Sequence, residues 1–403
     1  MKIAVIGGGA AGFFAAISAK THHPDAEVHL IEKSSKLLSK VLISGGGRCN
    51  VTHACFNNTQ LSKYYPRGER FLKKAFEQFN VEDTVNWYKA QGVDLKIEDD
   101  GRMFPISNDS RSIANALLDQ AKILGVIILL NSHVKHISKS TDAFHLNIGD
   151  EKFNYDNVII ASGGSPKKSG LSWLEELGHD VVSPVPSLFT FNMPKESITH
   201  LMGVSVPKAK LRIRNTKLET SAPLLITHWG MSGPAVLKLS AFGAIDLAAL
   251  DYTFSVQVNW LDTMNESNLR IEVDNQGLDK EQKKIANRNP FALPSRLWEF
   301  LLRKSQISLD KRWIDLSKKE LNRLVNTLTN DDYKVEGKTT FKEEFVTAGG
   351  VDLNNIEVAS MQSKRLPGIY FCGEVMDIDG VTGGFNFQAA WTTGWIAGKL
   401  KSI

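Results

Sequence analysis

The chain has 403 residues, a formal net charge of +4 and an apolar fraction of 42%. This length exceeds one ordinary hydrophobic core and favours two or three domains. The three cysteines, Cys49, Cys55 and Cys372, form neither an even disulfide framework nor a C-x-x-C metal pair. The N-terminal apolar run stops after a few residues at a glycine loop, and no later run is long enough for a membrane span. We therefore expect a cytoplasmic protein with no membrane anchor and no metal site.

The N-terminal segment predicts a βαβ unit. A short β-branched run, KIAVI, leads into GGGAAG and then into an alanine-rich stretch of helical period, and AEVHLIEK follows as a second strand. Further strands of the same layer are predicted in VIILLNSHVKHI and FNYDNVIIASGG, after a helix over 112–124. The region from about 34 to 110 is predicted to be a long insertion with a helix near VEDTVNWYKAQ. The fold class is therefore α/β.

The composition changes after Pro184 and again before the C-terminus. Stretches such as KAKLRIRN and YTFSVQVNW alternate and predict a mostly antiparallel sheet or barrel, whereas PSRLWEFLLRK and SKKELNRLVNTL have helical period. The tail then returns to a strand, a glycine turn and a helix, which closes the first domain. The predicted domains are a discontinuous nucleotide-binding domain (1–190 and 340–403), a β-barrel-like domain (191–262 and about 333–345) and a helical insertion (263–332).

A dinucleotide-binding fingerprint lies between the first strand and the first helix. Gly7 allows the turn, Gly9 lets the backbone approach a pyrophosphate, and Gly12 lets the helix pack on the strand. The helix N-terminus would face the phosphates. Glu32 follows twenty residues after the last glycine, where an acid can bind a ribose hydroxyl.

Two further glycine turns favour FAD over NAD as the bound dinucleotide. IIASGG at 159–164 can close over the pyrophosphate, and the C-terminal segment carries Gly373-Glu374 and then Gly383-Gly384 before a helix. An acid at the end of a strand suits a ribityl hydroxyl, and a helix N-terminus stabilises negative charge on a reduced flavin. The sequence contains no second G-x-G-x-x-G, so NAD(P)H would act as a transient electron donor.

The chain resembles the BaiN/RdsA family of NAD(P)/FAD-dependent oxidoreductases, which includes aminoacetone oxidase-like flavoproteins. The resemblance rests on GGGAAG, SGGGRCNVT, GRMFPISNDSRSIANAL, ITHWGMSGPAVLKLS, TAGGV and GEVMDIDGVTGGFNFQAAW, which together span nearly the whole chain. It implies a Rossmann-like FAD-binding domain, like the FAD half of glutathione reductase, with β-barrel-like and helical insertions. Members are tied to ribosomal RNA dihydrouridine synthesis, oxidation of small amines such as aminoacetone, and bile-acid reduction.

The stretch VLISGGGRCNVTHAC places three consecutive glycines, which have no side chain, close to two cysteines. A redox disulfide needs C-x4-C, whereas Cys49 and Cys55 have five residues between them. We expect these glycines to lie against the isoalloxazine or pyrophosphate, with Arg48 pairing a phosphate and Asn50 bonding the ring edge. Cys49 would lie near the flavin, either as a proton donor or as a small buried residue.

The block ITHWGMSGPAVLKLS contains two polar residues for which two roles are possible. His228 and Ser232 either line the substrate side of the flavin or turn a barrel strand, and His228 is a second candidate for the proton donor. The predicted cofactor-binding residues are Gly7, Gly9, Ala10, Ala11, Gly12, Glu32, Lys33, Ser44, Gly45, Gly46, Gly47, Arg48, Cys49, Asn50, Val134, Ser162, Gly163, Gly164, Gly373, Glu374, Asp377, Gly384, Phe385, Asn386 and Gln388.

Basic residues concentrate in three segments outside the nucleotide-binding motifs. The segment 279–323 contains twelve Lys or Arg and six Asp or Glu residues. The segments 63–74 and 208–217 contain five basic residues each. In 63–74 they are interleaved with Tyr64, Tyr65 and Phe71, a pattern that suits phosphate contacts and base stacking. Solvated surfaces of a slightly basic protein are the alternative, but three such segments outside the nucleotide-binding core favour a polyanionic substrate.

The leading hypothesis is an NAD(P)H-reduced FAD enzyme that converts uridine to dihydrouridine in large-subunit (23S) ribosomal RNA or its precursor. The runner-up is a flavin oxidase or reductase of a small metabolite, an amine or an enone. A third hypothesis is a flavin-containing RNA-binding factor without turnover.

Overall fold

The computed structural model describes residues 1–149, 151–340 and 346–400. The chain divides into two compact units. The first unit comprises Met1–Ser187 and Phe341–Ile403, and the second comprises Leu188–Thr340. The first domain of the chain is therefore built from both ends of the sequence.

Twenty strands lie in the described ranges. In chain order they are β1 (Lys2–Ile6), β2 (Glu27–Ile31), β3 (Thr52–His53), β4 (Leu95–Ile97), β5 (Arg102–Pro105), β6 (Ile127–Leu129), β7 (Val134–Lys139), β8 (Phe144–Ile148), β9 (Glu151–Tyr155), β10 (Asn157–Ile160), β11 (Val181–Pro186), β12 (Thr190–Asn192), β13 (Ser205–Ile213), β14 (Glu219–Thr227), β15 (Gly230–Ser232), β16 (Thr253–Asn259), β17 (Asp331–Glu336), β18 (Lys338–Thr339), β19 (Thr347–Val351) and β20 (Ile369–Phe371).

Twelve α-helices accompany them in the same ranges. They are α1 (Ala10–His22), α2 (Ser39–Gly47), α3 (Asn58–Ser62), α4 (Glu69–Ala75), α5 (Val81–Ala90), α6 (Ser110–Ile123), α7 (Ser172–Glu176), α8 (Pro234–Ala249), α9 (Glu266–Asn275), α10 (Ser295–Lys304), α11 (Lys318–Thr329) and α12 (Phe385–Lys399).

The first unit is organised around a five-stranded parallel sheet in the order β20-β10-β1-β2-β6. Its central strand β1 buries Ile3, Ala4 and Val5 completely, as expected for a parallel strand that is covered on both faces. The carboxyl ends of all five strands lie at one edge of the sheet. In folds of this class, that edge is where dinucleotides bind.

Two segments predicted to extend this sheet belong elsewhere. Of the segment VIILLNSHVKHI, only β6 joins the parallel sheet, and of FNYDNVIIASGG, only β10 does. Strands β7 and β9 pair with β8 in a separate antiparallel sheet. The reason is local: Asn131 takes a left-handed conformation (φ 53°) between β6 and β7, and β7 buries only Ile137. The turn at Asn131 redirects the chain, so β7 pairs with β8 and β6 remains the edge strand of the parallel sheet.

The second unit contains a seven-stranded antiparallel sheet in the order β17-β16-β13-β14-β15-β12-β18. The region predicted to be β-rich also holds α8, a 16-residue helix that begins at Pro234 after Gly233. Proline at the first helical position is favourable, and the alanine and leucine that follow have high helix propensity. The helices α10 and α11 share one hydrophobic core with the sheet through residues such as Leu301, Leu324 and Val256.

Helices α1 and α12 pack closely against each other in the first unit. A Cβ at Gly394 would lie 2.5 Å from the carbonyl oxygen of Ala11, and one at Gly398 would lie 2.4 Å from that of Ala15. Such distances are far below van der Waals contact, so both glycines are required for this packing.

Replacing Gly394 with Val should therefore destabilise the first unit by about 1–3 kcal/mol, because the added side chain forces the two helices apart. Thermal unfolding followed by circular dichroism measures the effect. Asn115→Val, on an exposed position of α6, introduces the same β-branched side chain without a clash. Equal unfolding midpoints for the two variants would contradict the close packing of α1 and α12.

Candidate cofactor site

The glycine loop after β1 has the conformation that the fingerprint requires. Gly7 has φ +115°, and a Cβ there would lie 2.3 Å from the carbonyl oxygen of Ala161. A Cβ at Gly12 would lie 1.9 Å from the carbonyl oxygen of Gly7. At Gly9 no described atom lies within 4 Å of a Cβ position. The backbone at Gly9, where α1 begins, is therefore open to a ligand, and the first N–H groups of α1, from Ala10 and Ala11 onward, are a suitable phosphate site.

Glu32 is held at the carboxyl end of β2. Its carboxylate accepts hydrogen bonds from the Gly8 N–H (2.9 Å) and from both the N–H (2.9 Å) and hydroxyl (2.8 Å) of Ser34. These contacts fix the carboxylate beside the glycine loop. Both Ser34 bonds reach Oε1, whereas Oε2 accepts only the Gly8 N–H among the described residues and can accept a second hydrogen bond, so the predicted contact with a ribose hydroxyl fits this arrangement.

A cavity of about 610 Å³ opens beside Glu32 at the carboxyl edge of the sheet. Its lining includes seven residues predicted for the cofactor, which are Gly7, Glu32, Lys33, Val134, Ser162, Gly163 and Gly164. The sequence prediction missed others, notably His133 and Trp173. His133 immediately precedes Val134, which was predicted, and could have been found from that position, whereas no local pattern marks Trp173.

The acid after β20 is fixed by three donor groups from two residues. Glu374 accepts hydrogen bonds from the N–H (3.0 Å) and hydroxyl (3.2 Å) of Thr347, and Lys40 lies 2.6 Å from its other oxygen. A Cβ at Gly164 would lie 2.8 Å from the same carboxylate, and one at Gly373 would clash with Ala11. The second and third glycine turns therefore meet at Glu374, the position predicted for a ribityl hydroxyl.

The loop that ends α2 leaves the helix at Ser44, whose ψ is 153°. Gly45, Gly46 and Gly47 follow with φ of 59°, 70° and 83°, a left-handed run that costs a non-glycine residue about 1–2 kcal/mol per position. Gly45 lies against Phe104, since a Cβ would come within 2.8 Å of its ring. At Gly46 and Gly47 no described atom lies within 4 Å of a Cβ position. These two glycines therefore present open backbone, as expected for a cofactor wall.

Arg48 has partners within this loop region. Its guanidinium lies 2.6 Å from the carboxylate of Glu98 and 4.0 Å from the ring centroid of Phe104. These contacts hold Arg48 on the Phe104 ring. Its predicted contact with a phosphate stays a prediction.

Asn50 joins the glycine loop to the start of α12. With the amide oriented to satisfy both neighbours, its nitrogen donates to the Thr52 carbonyl and its oxygen accepts from the Gly384 N–H, each at 3.0 Å. Gly384 has φ +93°, and a Cβ there would lie 2.5 Å from the Thr52 carbonyl oxygen. The site loop and the helix N-terminus are therefore one connected structure.

Polar side chains in the first turn of α12 form hydrogen bonds with other residues of the protein. Asn386 exchanges two hydrogen bonds with the backbone of Gly380. Gln388 is fully buried and accepts hydrogen bonds from Thr52 and Thr84. This indicates that Gln388 positions Thr52, in place of the predicted direct contact with the cofactor.

Phe385, the first residue of α12, lies among aromatic side chains. The ring of Tyr64 stacks on it at 4.4 Å, and that of His53 at 4.6 Å. Tyr65 donates its hydroxyl to the Phe385 carbonyl at 2.7 Å and is 1% exposed. Tyr65 was predicted among the residues that stack on RNA bases, and its burial makes that prediction wrong.

The two candidates for the proton donor lie in different units. Cys49 is completely buried in the first unit, and burial raises the pKa of its thiol to about 12, against a smaller opposing effect of Ser44. This favours a packing role for Cys49 over proton donation. His228 is an exposed residue of the second unit, next to Trp229 at a ring distance of 4.2 Å. Ser232 ends β15, and the roles predicted for both residues stay predictions.

Asp377 is a partly buried carboxyl beside a second acid. Burial and, to a smaller extent, the charge of Asp379 raise its pKa to about 6, against the opposing effects of the Gly349 N–H (3.0 Å) and Arg67. Thr347 and Gly349 donate from alternate positions of β19, so Glu374 and Asp377 lie along the same edge of that strand. Asp377 can therefore hold a proton at a pH where most carboxyl groups are ionised.

The donor set fits FAD. The glycine turns and the N-terminus of α1 suit a pyrophosphate, Glu32 and Glu374 suit hydroxyl groups, and Gly46 and Gly47 leave room for a flat ring. Within the described ranges, no group of three or more His, Cys, Asp or Glu residues could hold a metal ion. A search of the same ranges finds no helix with the length and apolar character of a membrane span.

The raised pKa of Asp377 predicts a pH-dependent stability. Because the folded-state pKa lies above the ordinary value of 3.8, the contribution of this group is fully present below about pH 4 and is lost as the pH rises through about 6. Asp377→Asn retains an acceptor for Gly349 and removes the charge. It should match the parent near pH 4 and exceed it by about 1–3 kcal/mol at pH 7.

Unfolding measured at both pH values tests this expectation. The control is Asp180→Asn, because hydrogen bonds from Asn355 and Arg365 lower the pKa of Asp180, so this variant should lose stability at pH 7. A pH-independent difference between Asp377→Asn and the parent would refute the assignment.

The burial of the cysteines predicts their reactivity. Cys49 and Cys372 are buried, whereas Cys55 is partly exposed. A disulfide reagent such as Ellman's reagent should therefore titrate one thiol rapidly in the native protein and three after denaturation. Cys55→Ser should abolish the fast phase, and Cys49→Ala should leave it and the rate of a single turnover unchanged. A single-turnover rate that falls at least tenfold in Cys49→Ala would restore Cys49 as the proton donor.

Comparisons with known proteins cover the whole chain. Residues 1–400 match the model of the HI0933-like protein Rossmann domain. The chain is 30% identical to the ribosomal RNA dihydrouridine synthase of Escherichia coli K12, over 97% of this chain and 95% of that protein. It is 28% identical to the 3-dehydro-bile acid delta(4,6)-reductase of Clostridium scindens, over 100% and 99%.

A solved structure shares the fold at low identity. The 3-ketosteroid-delta4-(5alpha)-dehydrogenase of Rhodococcus jostii RHA1 is 12% identical, covers 99% of this chain and 96% of its own, and has a TM-score of 0.51. The family match confirms the resemblance predicted from the motifs, the Rossmann-like FAD-binding fold and the use of FAD. The chain belongs to the HI0933-like Rossmann family, and it is an FAD-dependent oxidoreductase.

Proposed function

We propose that this enzyme reduces the C5=C6 bond of a uridine in 23S ribosomal RNA, with NAD(P)H as the electron donor. The observation that carries the proposal is the full-length similarity to proteins named ribosomal RNA dihydrouridine synthase, at 30% identity in E. coli and 27% in Haemophilus influenzae. In the overall reaction, uridine, NAD(P)H and one proton give dihydrouridine and NAD(P)⁺. Bound FAD would supply a two-electron carrier that accepts and delivers hydride.

The named relatives share one type of chemistry. Dihydrouridine forms by reduction of a carbon–carbon double bond conjugated with a carbonyl, and a delta(4,6)-reductase of a 3-dehydro-bile acid acts on the same kind of bond. Hydride adds to the carbon remote from the carbonyl, and a proton adds to the adjacent carbon. The site would therefore need an open flat wall, which Gly46 and Gly47 offer, and a source of that proton.

The uracil would have to leave its stack to reach this wall. The rings of Tyr64 and Phe385 lie 4.4 Å apart at the start of α12. The hydrogen bond between Asn50 and Gly384 connects this region to the loop that carries Gly46 and Gly47. Phe385 is 1% exposed, so in this pair the partly exposed ring of Tyr64 is the one that a base could reach. A flat open backbone surface with an aromatic ring near it supports a planar heterocyclic substrate.

A small-metabolite substrate remains the second candidate, because many of the basic residues form ion pairs within the protein. For example, Lys208 pairs with Asp262 and Arg214 with Asp332. Such pairs reduce the charge available to a polyanion. This candidate predicts turnover with an enone or amine and no change in the modified nucleosides of RNA.

The test is mass spectrometry of digested ribosomal RNA from cells that lack the gene. One dihydrouridine should disappear on deletion and return with the wild-type gene. It should not return with Gly46→Val, which places a side chain on the predicted cofactor wall.

Gly125→Val is the matched control. Gly125 has φ +76° and, like Gly46, no described atom within 4 Å of its Cβ position, but it precedes β6 at the opposite edge of the sheet. Both variants carry the same backbone strain, so only the site differs. An unchanged dihydrouridine content after deletion would reject the RNA substrate and direct the search to enones and amines.

A further inference from the structure

The three basic segments differ in how their charges are used. In 208–217, three of the five cations form ion pairs, Lys208 with Asp262, Lys210 with Glu219 and Arg214 with Asp332. In 279–323, five of the twelve do so, Lys284 with Asp310, Arg288 with Glu281, Lys304 with Asp331, Lys311 with Glu320 and Arg312 with Asp315. Arg296 and Arg323 of this segment donate to backbone carbonyls.

The segment 63–74 is different. The side chains of Lys63, Arg70, Lys73 and Lys74 are exposed, and none of them forms an ion pair or hydrogen bond with any described residue. Arg70, Lys73 and Lys74 lie three and four residues apart on α4 and therefore on one face of that helix. We call these four residues the α4 cation patch. It places four positive charges that have no partner in the described part of the chain within twelve residues, with Glu69 as the acid among them.

The fifth cation of the segment anchors it. Arg67 forms a bidentate ion pair with the completely buried Asp379, which also accepts the hydroxyl of Ser187. The pair fixes the chain immediately before α4 to the loop that leads into α12. A carboxylate buried in this way requires its partner, because an uncompensated buried charge costs several kcal/mol.

Further contacts continue this attachment to the start of α12. The Val381 N–H donates to the Tyr64 carbonyl at 3.0 Å, the Tyr65 hydroxyl donates to the Phe385 carbonyl, and a Cβ at Gly68 would lie 2.7 Å from Ile378. The α4 cation patch therefore belongs to an element that is fixed to the N-terminus of α12, where the cofactor ring is expected. In contrast, the cations of 279–323 that pair with no described residue are spread along this 45-residue segment of the second unit.

We infer that the α4 cation patch is the docking surface for the phosphodiester backbone of the RNA next to the target nucleotide. This inference rests on the proposed function and deepens it. Lysine and arginine contacts to phosphates give affinity that is independent of sequence and falls with salt. Their fixed position relative to α12 would hold the chain of nucleotides in place while one base enters the site.

The experiment compares two fourfold variants of the full-length flavoprotein. The first is Lys63→Gln/Arg70→Gln/Lys73→Gln/Lys74→Gln. The matched control, Lys280→Gln/Lys283→Gln/Lys318→Gln/Lys319→Gln, removes the same charge from side chains of the second unit that likewise form no ion pair with described residues. Binding of a fluorescent oligouridylate of about 20 nucleotides is measured by anisotropy over a range of salt concentrations, and the bound-flavin spectrum and unfolding midpoint report on folding.

The inference predicts that the first variant binds the oligouridylate about tenfold or more weakly, with the slope of log K against log salt reduced by about 3 for four single-strand phosphate contacts. The control should change both quantities by less than half as much. The first variant should also fail to restore dihydrouridine in cells that lack the gene.

Two results would overturn the docking surface, namely equal losses in both variants or no loss in the first. The proposed function is judged separately. If the wild-type gene restores dihydrouridine and the first variant does so equally well, the docking inference fails while the RNA reductase stands. If deletion of the gene leaves dihydrouridine unchanged, the proposed function itself fails.

Discussion

Helix α12 can approach α1 closely because Gly394 and Gly398 carry no Cβ that would strike the carbonyl oxygens of Ala11 and Ala15. The rest of the cofactor site depends on this contact, since α1 begins at the first glycine turn and α12 begins at the last. Nearly the full length of the chain separates the two helices in sequence. The site is therefore completed only when the C-terminal segment returns to the N-terminal βαβ unit.

Polar contacts then align the loops at the edge of the sheet. Asn50 connects the glycine loop to Gly384, and β19 donates N–H groups to Glu374 and Asp377. These backbone donors fix Glu374 where it would bind a hydroxyl group of the cofactor and Asp377 where it can hold a proton. As a result, the flat open surface at Gly46 and Gly47 lies within a rigid framework, which favours a bound planar ring over a mobile loop.

Charge distribution links the site to its substrate. Nine of the 22 basic residues in the three segments form ion pairs with carboxylates, as Lys208 does with Asp262. The α4 cation patch is different because, within the described residues of the first unit, Arg67 is the cation of that segment that forms an ion pair. Surface ion pairs contribute little free energy, so their main consequence here is to decide which cations are available to a polyanion.

Properties that depend on a few neighbouring residues could be predicted from the sequence alone. The glycine turns at Gly7 and Gly384 and the FAD site follow from backbone conformations that only glycine adopts easily and from the periods of the flanking segments. The family follows from the resemblance of motifs such as SGGGRCNVT. The helices α6, α10 and α11 were predicted on the same basis. The sequence thus determined the cofactor and the class of enzyme.

Tertiary structure decided the features that join distant segments. Arg48 meets Glu98, Tyr65 is buried against Phe385, and β7 forms its own sheet after the turn at Asn131. Burial likewise raises the pKa of Cys49 and of Asp377, and no local pattern encodes it. Solvation and charge pairing depend on the folded path of the whole chain, and for this reason the sequence identifies the ionisable groups while the structure determines which of them can act.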